Sequence, residues 1–365
     1  MKTVKKALTA LTLGTFFVFL TGCSCADKSW AVKSEGESIS TGEYVYYLMD
    51  SYQAAHNKLA EQGISTTDLS QETIEDKSAP SWIVDTTLET CKEKLAIEKM
   101  FKDMGLELTE EELKKADEST EQIWNSAGSM YEKNFGINKE TFHQAYSLLN
   151  AKREKIFMAL YGKDGSSAVS DEEITTYYKE NYIALKFYSK MPTTEAETSE
   201  SGEENAENKE EKKIETAEDI EKQLREYGDA INNGSKTIDQ IRDLIKTNDK
   251  VEGEHDPLVE QVINMTSTTF PQEIIDAVKD LGTGKATHIK FNELYLFLYK
   301  SAAGETLTVP DLNNDTEREK ILYEMKADEF DEKIHSVING MNIQINYNAV
   351  NQYDPIILGQ SVIQG

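Results

Sequence analysis

The chain has 365 residues, of which 39 are lysine or arginine and 66 are aspartate or glutamate, so its formal net charge is −27 at pH 7. So acidic a chain is a poor partner for nucleic acid, and we predict no nucleic-acid partner. Its three cysteines are too few for a disulfide scaffold, and its five histidines show no metal-ligand spacing. We therefore expect no metal site and no cofactor.

The first 22 residues have the pattern of a signal peptide. Three lysines precede an uncharged, mostly apolar stretch at 7–20, which is too short to span a bilayer. The motif Leu-Thr-Gly-Cys that follows, ending at Cys23, resembles the lipobox of bacterial lipoproteins, in which this cysteine is diacylated. The resemblance implies lipidation of Cys23, a lipid-tethered linker at 23–29 and a place on the extracytoplasmic face of the cell membrane. Ordinary secretion is the alternative.

Beyond the linker, Trp30 to Lys33 is a short apolar segment that we predict as a strand. Three helix starts then share one pattern: Ser40, Thr109 and Ser170 each stand three residues before a glutamate, as in a capping box. An apolar residue precedes each cap and another follows four positions after it, which is the pattern of a hydrophobic staple. We therefore predict helices that begin at these three residues.

Apolar residues at helical spacing predict two further helices, over about 82–104 and 139–161. Together with the capped helices they indicate a helical domain over 40–161.

Residues 192–215 differ in composition from the rest of the chain. The stretch holds nine glutamates, three lysines, one isoleucine and no aromatic residue. Such a composition cannot repay the entropy of ordering, so we predict a disordered acidic insert.

After the insert, four further helices are predicted from apolar spacing and stop signals: from about 217, over 237–246, over 270–278 and over 316–339. Ile343, Ile345 and Tyr347 alternate with polar residues and predict a strand.

The stretch from Gly282 to Lys285 resembles a phosphate-binding loop at first sight. That loop needs serine or threonine after its lysine and a helix behind it, whereas Ala286 and a strand-like apolar segment follow here. We therefore predict a turn that leads into a strand.

Three motifs together resemble the PrsA and SurA type of extracytoplasmic foldase. They are "MGLELTEEEL" at 104–113, "VSDEEITTYYKENY" at 169–182 and "AVKDLGTGKAT" at 277–287. The resemblance implies an α+β fold, with a mainly helical SurA-N/PrsA-like chaperone domain and a small parvulin-like α/β domain that contains an antiparallel sheet.

The resemblance also implies a domain order. It places the N-terminal chaperone domain at 30–168, a degenerate parvulin-like domain at 169–302, a C-terminal helix and strand at 303–347 that pack on the N-terminal domain, and a tail at 348–365.

Parvulins catalyse prolyl isomerisation with an apolar proline pocket and a hydrogen-bonded network that contains two histidines. The first histidine belongs in the strand at 184–188, where Lys186 stands, and the second in the terminal strand, where Tyr295 stands, or Phe297 if the register slips by two. Phe270 and Ile274 fall near pocket positions, and they form either a pocket wall or plain core. We predict no catalytic residue and a loss of isomerase activity.

The function that the resemblance implies is a membrane-tethered chaperone or foldase whose partners are unfolded or partly folded exported polypeptides. Its affinity would come from exposed aromatic groups such as those at 43–52, although aromatic residues at helical spacing are also typical of core. Two alternatives remain open: an active prolyl isomerase with a rearranged site, and an envelope lipoprotein that binds a ligand or acts as a scaffold.

Overall fold

The computed structural model describes residues 29–192, 215–250, 255–267 and 270–363. The predicted signal peptide and Cys23 lie outside these ranges, and so does the predicted acidic insert apart from its two end residues. In the part of the chain that is described, no helix is long and apolar enough to cross a membrane.

The elements up to residue 161 are β1 (Trp30–Ser34), β2 (Glu37–Ser40), α1 (Thr41–Glu61), β3 (Thr73–Ile74), β4 (Lys77–Ser78), α2 (Ala79–Asp103), α3 (Glu110–Phe135), α4 (Lys139–Phe142), a π-helical turn (His143–Ser147) and α5 (Leu148–Tyr161). Those that follow are α6 (Asp171–Asn181), β5 (Tyr182–Lys190), α7 (Ala217–Asn232), α8 (Ile238–Asn248), β6 (Val259–Asn264), α9 (Gln272–Val278), β7 (Ala286–Phe291), β8 (Leu294–Ala303), α10 (Asp315–Gly340), β9 (Gln344–Ile345), α11 (Tyr347–Val350) and α12 (Pro355–Ile363).

The chain divides into two compact units, and the division falls within α10. Among the described residues, the helical unit comprises 29–167 and 328–363, and the sheet unit comprises those that lie within 168–327. The helical unit holds a three-stranded sheet of order β2-β1-β9 and the β3-β4 hairpin, whereas the sheet unit holds a four-stranded sheet of order β6-β5-β8-β7. All strand pairs are antiparallel, and the chain is an α+β protein, as predicted.

The three predicted capping boxes are all present. Ser40, Thr109 and Ser170 each accept a backbone N–H from the glutamate three residues on, and that glutamate accepts the backbone N–H of the cap. Each box therefore satisfies two groups that the first helical turn would otherwise leave unpaired.

Two predicted elements begin or end at other residues than expected. The C-terminal strand is only Gln344–Ile345, because Tyr347 begins α11 instead of continuing the alternation. The short helix predicted from residue 270 starts at Gln272, after Phe270 and the N-cap Pro271.

The β3-β4 hairpin was not predicted at all. Glu75 and Asp76 occupy its turn with φ of 52° and 62°, a left-handed conformation that is usually marked by glycine or asparagine. Aspartate is accepted at such positions but glutamate is not, so without glycine or asparagine the pair is only a weak turn signal.

Candidate functional site

The four-stranded sheet of the sheet unit separates two apolar clusters. On one face, strand residues such as Tyr188 and Phe297 pack with Leu224 of α7 and with α8. On the other face, strand residues such as Leu185 and Leu298 pack against α9. Because side chains alternate along a strand and paired residues share a face, the register assigns each strand residue to one cluster.

Phe270 and Ile274, the two predicted pocket-wall residues, lie together on the side of the sheet that packs against α9, which we call the α9 face. Ile274 is buried and Phe270 is half-buried, and both belong to the cluster that includes Phe187 of β5 and Leu296 of β8. The structure thus brings these two residues together beside the two central strands.

Lys186 and Tyr295 do not lie on the α9 face. Tyr295 is buried in the cluster under α7 and α8. Lys186 pairs with Tyr299, which packs against that same cluster, and Tyr295 pairs instead with Lys190. The four residues predicted for a degenerate pocket therefore do not converge on one site.

The α9 face is apolar along the two central strands, β5 and β8. Phe187 of β5 and Leu296 and Leu298 of β8 stand there. His288, the histidine within the described strands of this sheet, pairs with Phe297 and so lies on the opposite face. This surface can hold apolar side chains, but Phe187, Leu296 and Leu298 supply no hydrogen-bonding group to a substrate.

Lys300 of β8 is a buried charged residue whose burial is not predicted from the sequence. It pairs with Leu185, it is 5% exposed, and burial lowers the pKa of its amine below the ordinary value while Asp280 acts in the opposite direction. A lysine near the end of a strand is typical of a solvent-exposed position, which is why its burial could not be expected.

The helical unit carries a second site, which we call the aromatic surface. It consists of Tyr46 of α1, Trp124 and Tyr131 of α3, Phe142 of α4 and Tyr146 of the π-helical turn. Phe142 is buried at the centre, and the other four side chains are half-buried. Phe142 is the hub of the group because its ring centroid lies between 5.4 and 5.9 Å from each of the other four.

A glycine makes one part of this arrangement possible. The rings of Trp124 and Tyr131 are nearly parallel, at 15°, with centroids 6.0 Å apart. A Cβ at Gly128 would stand 2.6 Å from the indole of Trp124, so the indole occupies the space that any other residue would fill. Gly128 lies within α3, where glycine costs about 1 kcal/mol relative to alanine.

The π-helical turn is held in place from the interior of the unit. Its closing bond runs from the Leu148 N–H to the His143 carbonyl, five residues back. The Gln144 carbonyl accepts a bond of 2.9 Å from the buried Lys94 amine, and the Ala145 carbonyl accepts one of 2.9 Å from the Tyr47 hydroxyl. These contacts fix the segment that carries Tyr146.

Lys94 also donates to Glu43 in a buried ion pair. The other oxygen of Glu43 accepts the N–H of Ser40, so one carboxylate serves both the cap of α1 and the ion pair. The pair thereby links the start of α1 to α2 and to the π-helical turn.

A carboxylate stands at the edge of the aromatic surface. Burial raises the pKa values of Tyr46 and Tyr131, and the charge of Asp50, which lies one turn after Tyr46 on α1, raises them further. The Asp50 side chain itself is exposed, although desolvation raises the pKa of its carboxyl. Within the described residues Asp50 has no cationic partner.

The expectation that 43–52 offers exposed aromatic groups is wrong for most of that stretch. Tyr44, Tyr47 and Tyr52 are buried in the core of the helical unit, as the alternative interpretation held. Tyr46 is the aromatic residue of the stretch that keeps solvent exposure. Sequence reasoning missed Trp124, Tyr131 and Tyr146, because their approach depends on how α1, α3 and the π-helical turn pack.

No group of three histidine, cysteine, aspartate or glutamate side chains in the described ranges is arranged to hold a metal ion.

No protein-family model and no curated protein sequence matches the chain. Among solved structures, the chain is similar to the foldase protein PrsA from Lactococcus lactis, with 12% identity over 91% of this chain and 98% of that one and a TM-score of 0.33. It is similar to the foldase protein PrsA from Streptococcus pneumoniae, with 13% identity over 90% and 98% of the two chains and a TM-score of 0.34.

A third similar structure comes from work on two SurA-like chaperones, PEB4 and Cj1289, of Campylobacter jejuni. Its identity is 11% over 87% of this chain and 99% of that one, with a TM-score of 0.23. With TM-scores below 0.5, the function of this chain has to be judged on its own residues.

Proposed function

We propose that the chain is a membrane-anchored extracytoplasmic chaperone that binds unfolded or partly folded exported polypeptides through the aromatic surface. The observation that carries the proposal is the group of four half-buried aromatic side chains around the buried ring of Phe142. Exposed apolar patches on folded proteins mark interaction sites, and aromatic rings contribute large contact area at low entropic cost.

The chemistry of this surface suits clients of varied sequence. Each Å² of apolar surface that a client buries contributes about 25 cal/mol, whichever apolar residue supplies it. The rings are carried by α1, α3 and the π-helical turn. Lys94 and Tyr47 hold the π-helical turn in place, so this segment needs little ordering on binding.

The sheet unit supports a second part of the proposal, which is that isomerase activity is lost. The barrier to rotation about a prolyl peptide bond is about 18–20 kcal/mol. The α9 face offers Phe187, Leu296, Phe270 and Ile274 as an apolar wall, and the register adds Ser189 and Lys300 to this face but no histidine from β5 or β8. We assign this face at most a role in holding an apolar segment.

The domain assignment is part of the same proposal. The chaperone domain would be 30–168, supplemented by the C-terminal helix and strand within 303–347, and the degenerate parvulin-like domain would be 169–302. Lipidation of Cys23 would attach the chain to the membrane.

An aggregation assay tests the chaperone function. The full chain is expected to suppress light scattering by reduced, denatured lysozyme in proportion to its concentration. The double variant Trp124→Ala, Tyr131→Ala is expected to lose most of this effect, because it removes the stacked pair. Tyr347→Ala is the matched control, since Tyr347 is an aromatic residue that is 60% exposed outside the aromatic surface. Absence of any suppression at several-fold molar excess would overturn the proposal.

A proline-peptide assay tests the loss of isomerase activity. We expect the full chain to leave the cis-trans rate unchanged, while an active parvulin measured in parallel accelerates it. An acceleration that disappears in Phe270→Ala would instead establish a rearranged active site on the α9 face.

A further inference from the structure

Strand β6 lies at one edge of the four-stranded sheet, and its register shows which of its backbone groups face away from the sheet. The Met265 N–H donates to the Asn181 carbonyl at 2.7 Å, in step with the pairing of β5 and β6. Bonded and non-bonded positions alternate along an antiparallel pair, so the bonds to β5 fall at the odd-numbered residues of β6. Glu260 and Val262 therefore direct their N–H and C=O groups outward, and we call these four backbone groups the open edge.

The open edge has no hydrogen-bond partner within the described ranges. Its two ends are defined by bonds that occupy the neighbouring outward groups. The Leu258 N–H donates to the Asp256 carboxylate at 3.0 Å, and the Asn264 carbonyl accepts the Ser267 N–H at 3.2 Å. Between these ends, residues 259–262 are exposed.

The opposite edge of the same sheet is closed at its start. Asn232 of α7 accepts the Ala286 N–H at 3.0 Å and donates its amide N–H to the Ala286 carbonyl at 2.8 Å. One side chain thus occupies both backbone groups of the first residue of β7. In the described part of the chain, no side chain does the same for the open edge.

The open edge also lacks the features that keep sheet edges from pairing, which are edge charges, prolines and bulges. Strand β6 contains no proline, and its register with β5 is regular. Its one charged side chain, Glu260, reaches back across β5, where it accepts the hydroxyl of Ser301 of β8 at 2.6 Å. Val259 and Val262, in contrast, are 60% and 42% exposed.

The geometry and charge of the open edge select the kind of partner. Donors and acceptors at alternate residues of a strand are matched by the backbone of another extended chain. A second copy of this chain is disfavoured, because two chains of formal net charge −27 repel each other. Neutral or basic segments are not repelled, and the exposed valines favour β-branched or aromatic side chains in them.

We propose that the open edge binds an extended apolar segment of a client polypeptide, which joins the sheet as a fifth strand. Main-chain hydrogen bonds hold the segment whatever its sequence, and its side chains contact Val259 on one face of the sheet and Val262 on the other. The inference rests on the proposed chaperone function and gives the sheet unit a client site in addition to the aromatic surface.

Two peptides that differ only in backbone donors test the proposal. One is a capped heptapeptide of alternating valine and threonine with lysine at both ends. The other carries N-methyl groups on two adjacent central residues, so that whichever edge it presents to β6 lacks a donor. Titration calorimetry with the full chain at 0.15 M salt is expected to give about tenfold weaker binding of the methylated peptide. Equal affinity for the two peptides, or no binding of either, would overturn the proposal.

Val262→Pro removes the outward N–H of Val262 and leaves the bonds to β5 in place, since edge strands tolerate proline where the N–H faces solvent. It is expected to weaken binding of the unmethylated peptide about tenfold. Val262→Thr is the matched control because it keeps the N–H, and it should bind within about twofold of the unaltered chain. A loss of affinity in both variants would assign the binding to the valine side chain and contradict the proposal.

Hydrogen exchange of single amides locates the site without any variant. In the free chain the amides of Gln261 and Ile263, which are bonded to β5, should exchange slowly, and those of Glu260 and Val262 rapidly. Saturating peptide is expected to slow the exchange of Glu260 and Val262 about tenfold or more. Slow exchange of these two amides in the free chain would mean that another segment or a second copy already covers the open edge, and it would overturn the proposal.

The aggregation assay separates these results from a failure of the chaperone function. A chaperone without this site still suppresses aggregation, so failed peptide tests would then overturn the open edge alone. Peptide binding at the open edge in a chain that does not suppress aggregation would instead overturn the chaperone function.

Discussion

At the scale of single residues, Lys94 connects the core of the helical unit to the segment that carries Tyr146. Its amine donates both to Glu43 and to the Gln144 carbonyl, and the side chains of Lys94 and Glu43 are 6% and 10% exposed. Removing one partner of such a pair leaves an uncompensated buried charge.

We therefore predict that Lys94→Met lowers the free energy of unfolding by about 3–5 kcal/mol. Lys92→Met on the same helix is the control, because its partner Glu89 is half exposed and such surface pairs contribute about 0–1 kcal/mol. Urea denaturation followed by circular dichroism measures both. Equal costs for the two variants would show that the buried pair has no special role.

Replacing Gly128 by alanine should change the stability of α3 and the proposed chaperone activity in opposite directions. Gly128→Ala improves the helix propensity of α3 by about 1 kcal/mol but places a methyl group where the Trp124 indole lies. We expect the indole to rotate away, with a changed tryptophan fluorescence spectrum and weaker suppression of aggregation. Ser129→Ala, at the next and exposed position, is expected to change neither. Unchanged chaperone activity in Gly128→Ala would contradict the role given to the stacked pair.

At the scale of elements, α12 packs closely on α1 through Gly359. A Cβ at this position would stand 2.2 Å from the ring of Tyr52, so α12 can lie there only with glycine at the contact. Tyr52 itself is buried in the core and cannot move away without cost.

Gly359→Ala is accordingly predicted to weaken the docking of α12, at a cost of about 1–3 kcal/mol for overpacking. Hydrogen exchange of the amides of 356–363 should become faster than in the unaltered chain. Gly340→Ala is the control, because a Cβ at Gly340 meets no atom within 4 Å. Slow exchange in both variants would mean that α12 tolerates the methyl group.

The helix starts could be predicted from sequence because each capping box is local, with all its interacting groups within four residues. Strand faces could not be predicted in this way. In β8 the residues from Leu294 to Leu298 are apolar on both faces, since both faces are covered by helices, so no alternation shows which residue points where. A shift of one residue in the pairing register of a strand moves every side chain of that strand to the other face of the sheet.

The four predicted pocket residues are all placed by the family resemblance, which carries no information on strand faces in this chain. Phe270 and Ile274 lie together on one face of the sheet. Lys186 and Tyr295 lie on the other face. The aromatic surface depends on packing among three segments far apart in sequence, and nothing local in the sequence indicates it.

At the scale of the whole molecule, the proposed anchor would determine where the proposed chaperone acts. Two or three acyl chains, each methylene contributing about 0.8 kcal/mol when buried, hold a protein at a membrane far more firmly than one. We predict that Cys23→Ser abolishes incorporation of a palmitate analogue and releases the chain from the membrane fraction. Cys25→Ser, two residues away, should remain labelled and membrane-bound. Labelling that persists in Cys23→Ser would exclude Cys23 as the acylated residue.

The central claim is that client polypeptides contact the aromatic surface of the helical unit. Site-specific photo-crosslinking tests it most directly, with benzoylphenylalanine placed in turn at Trp124, Phe270 and Tyr347 of the full chain. The account predicts cross-links to denatured client from position 124 and none above background from position 347. Cross-links from position 270 or 347 without any from position 124 would contradict it.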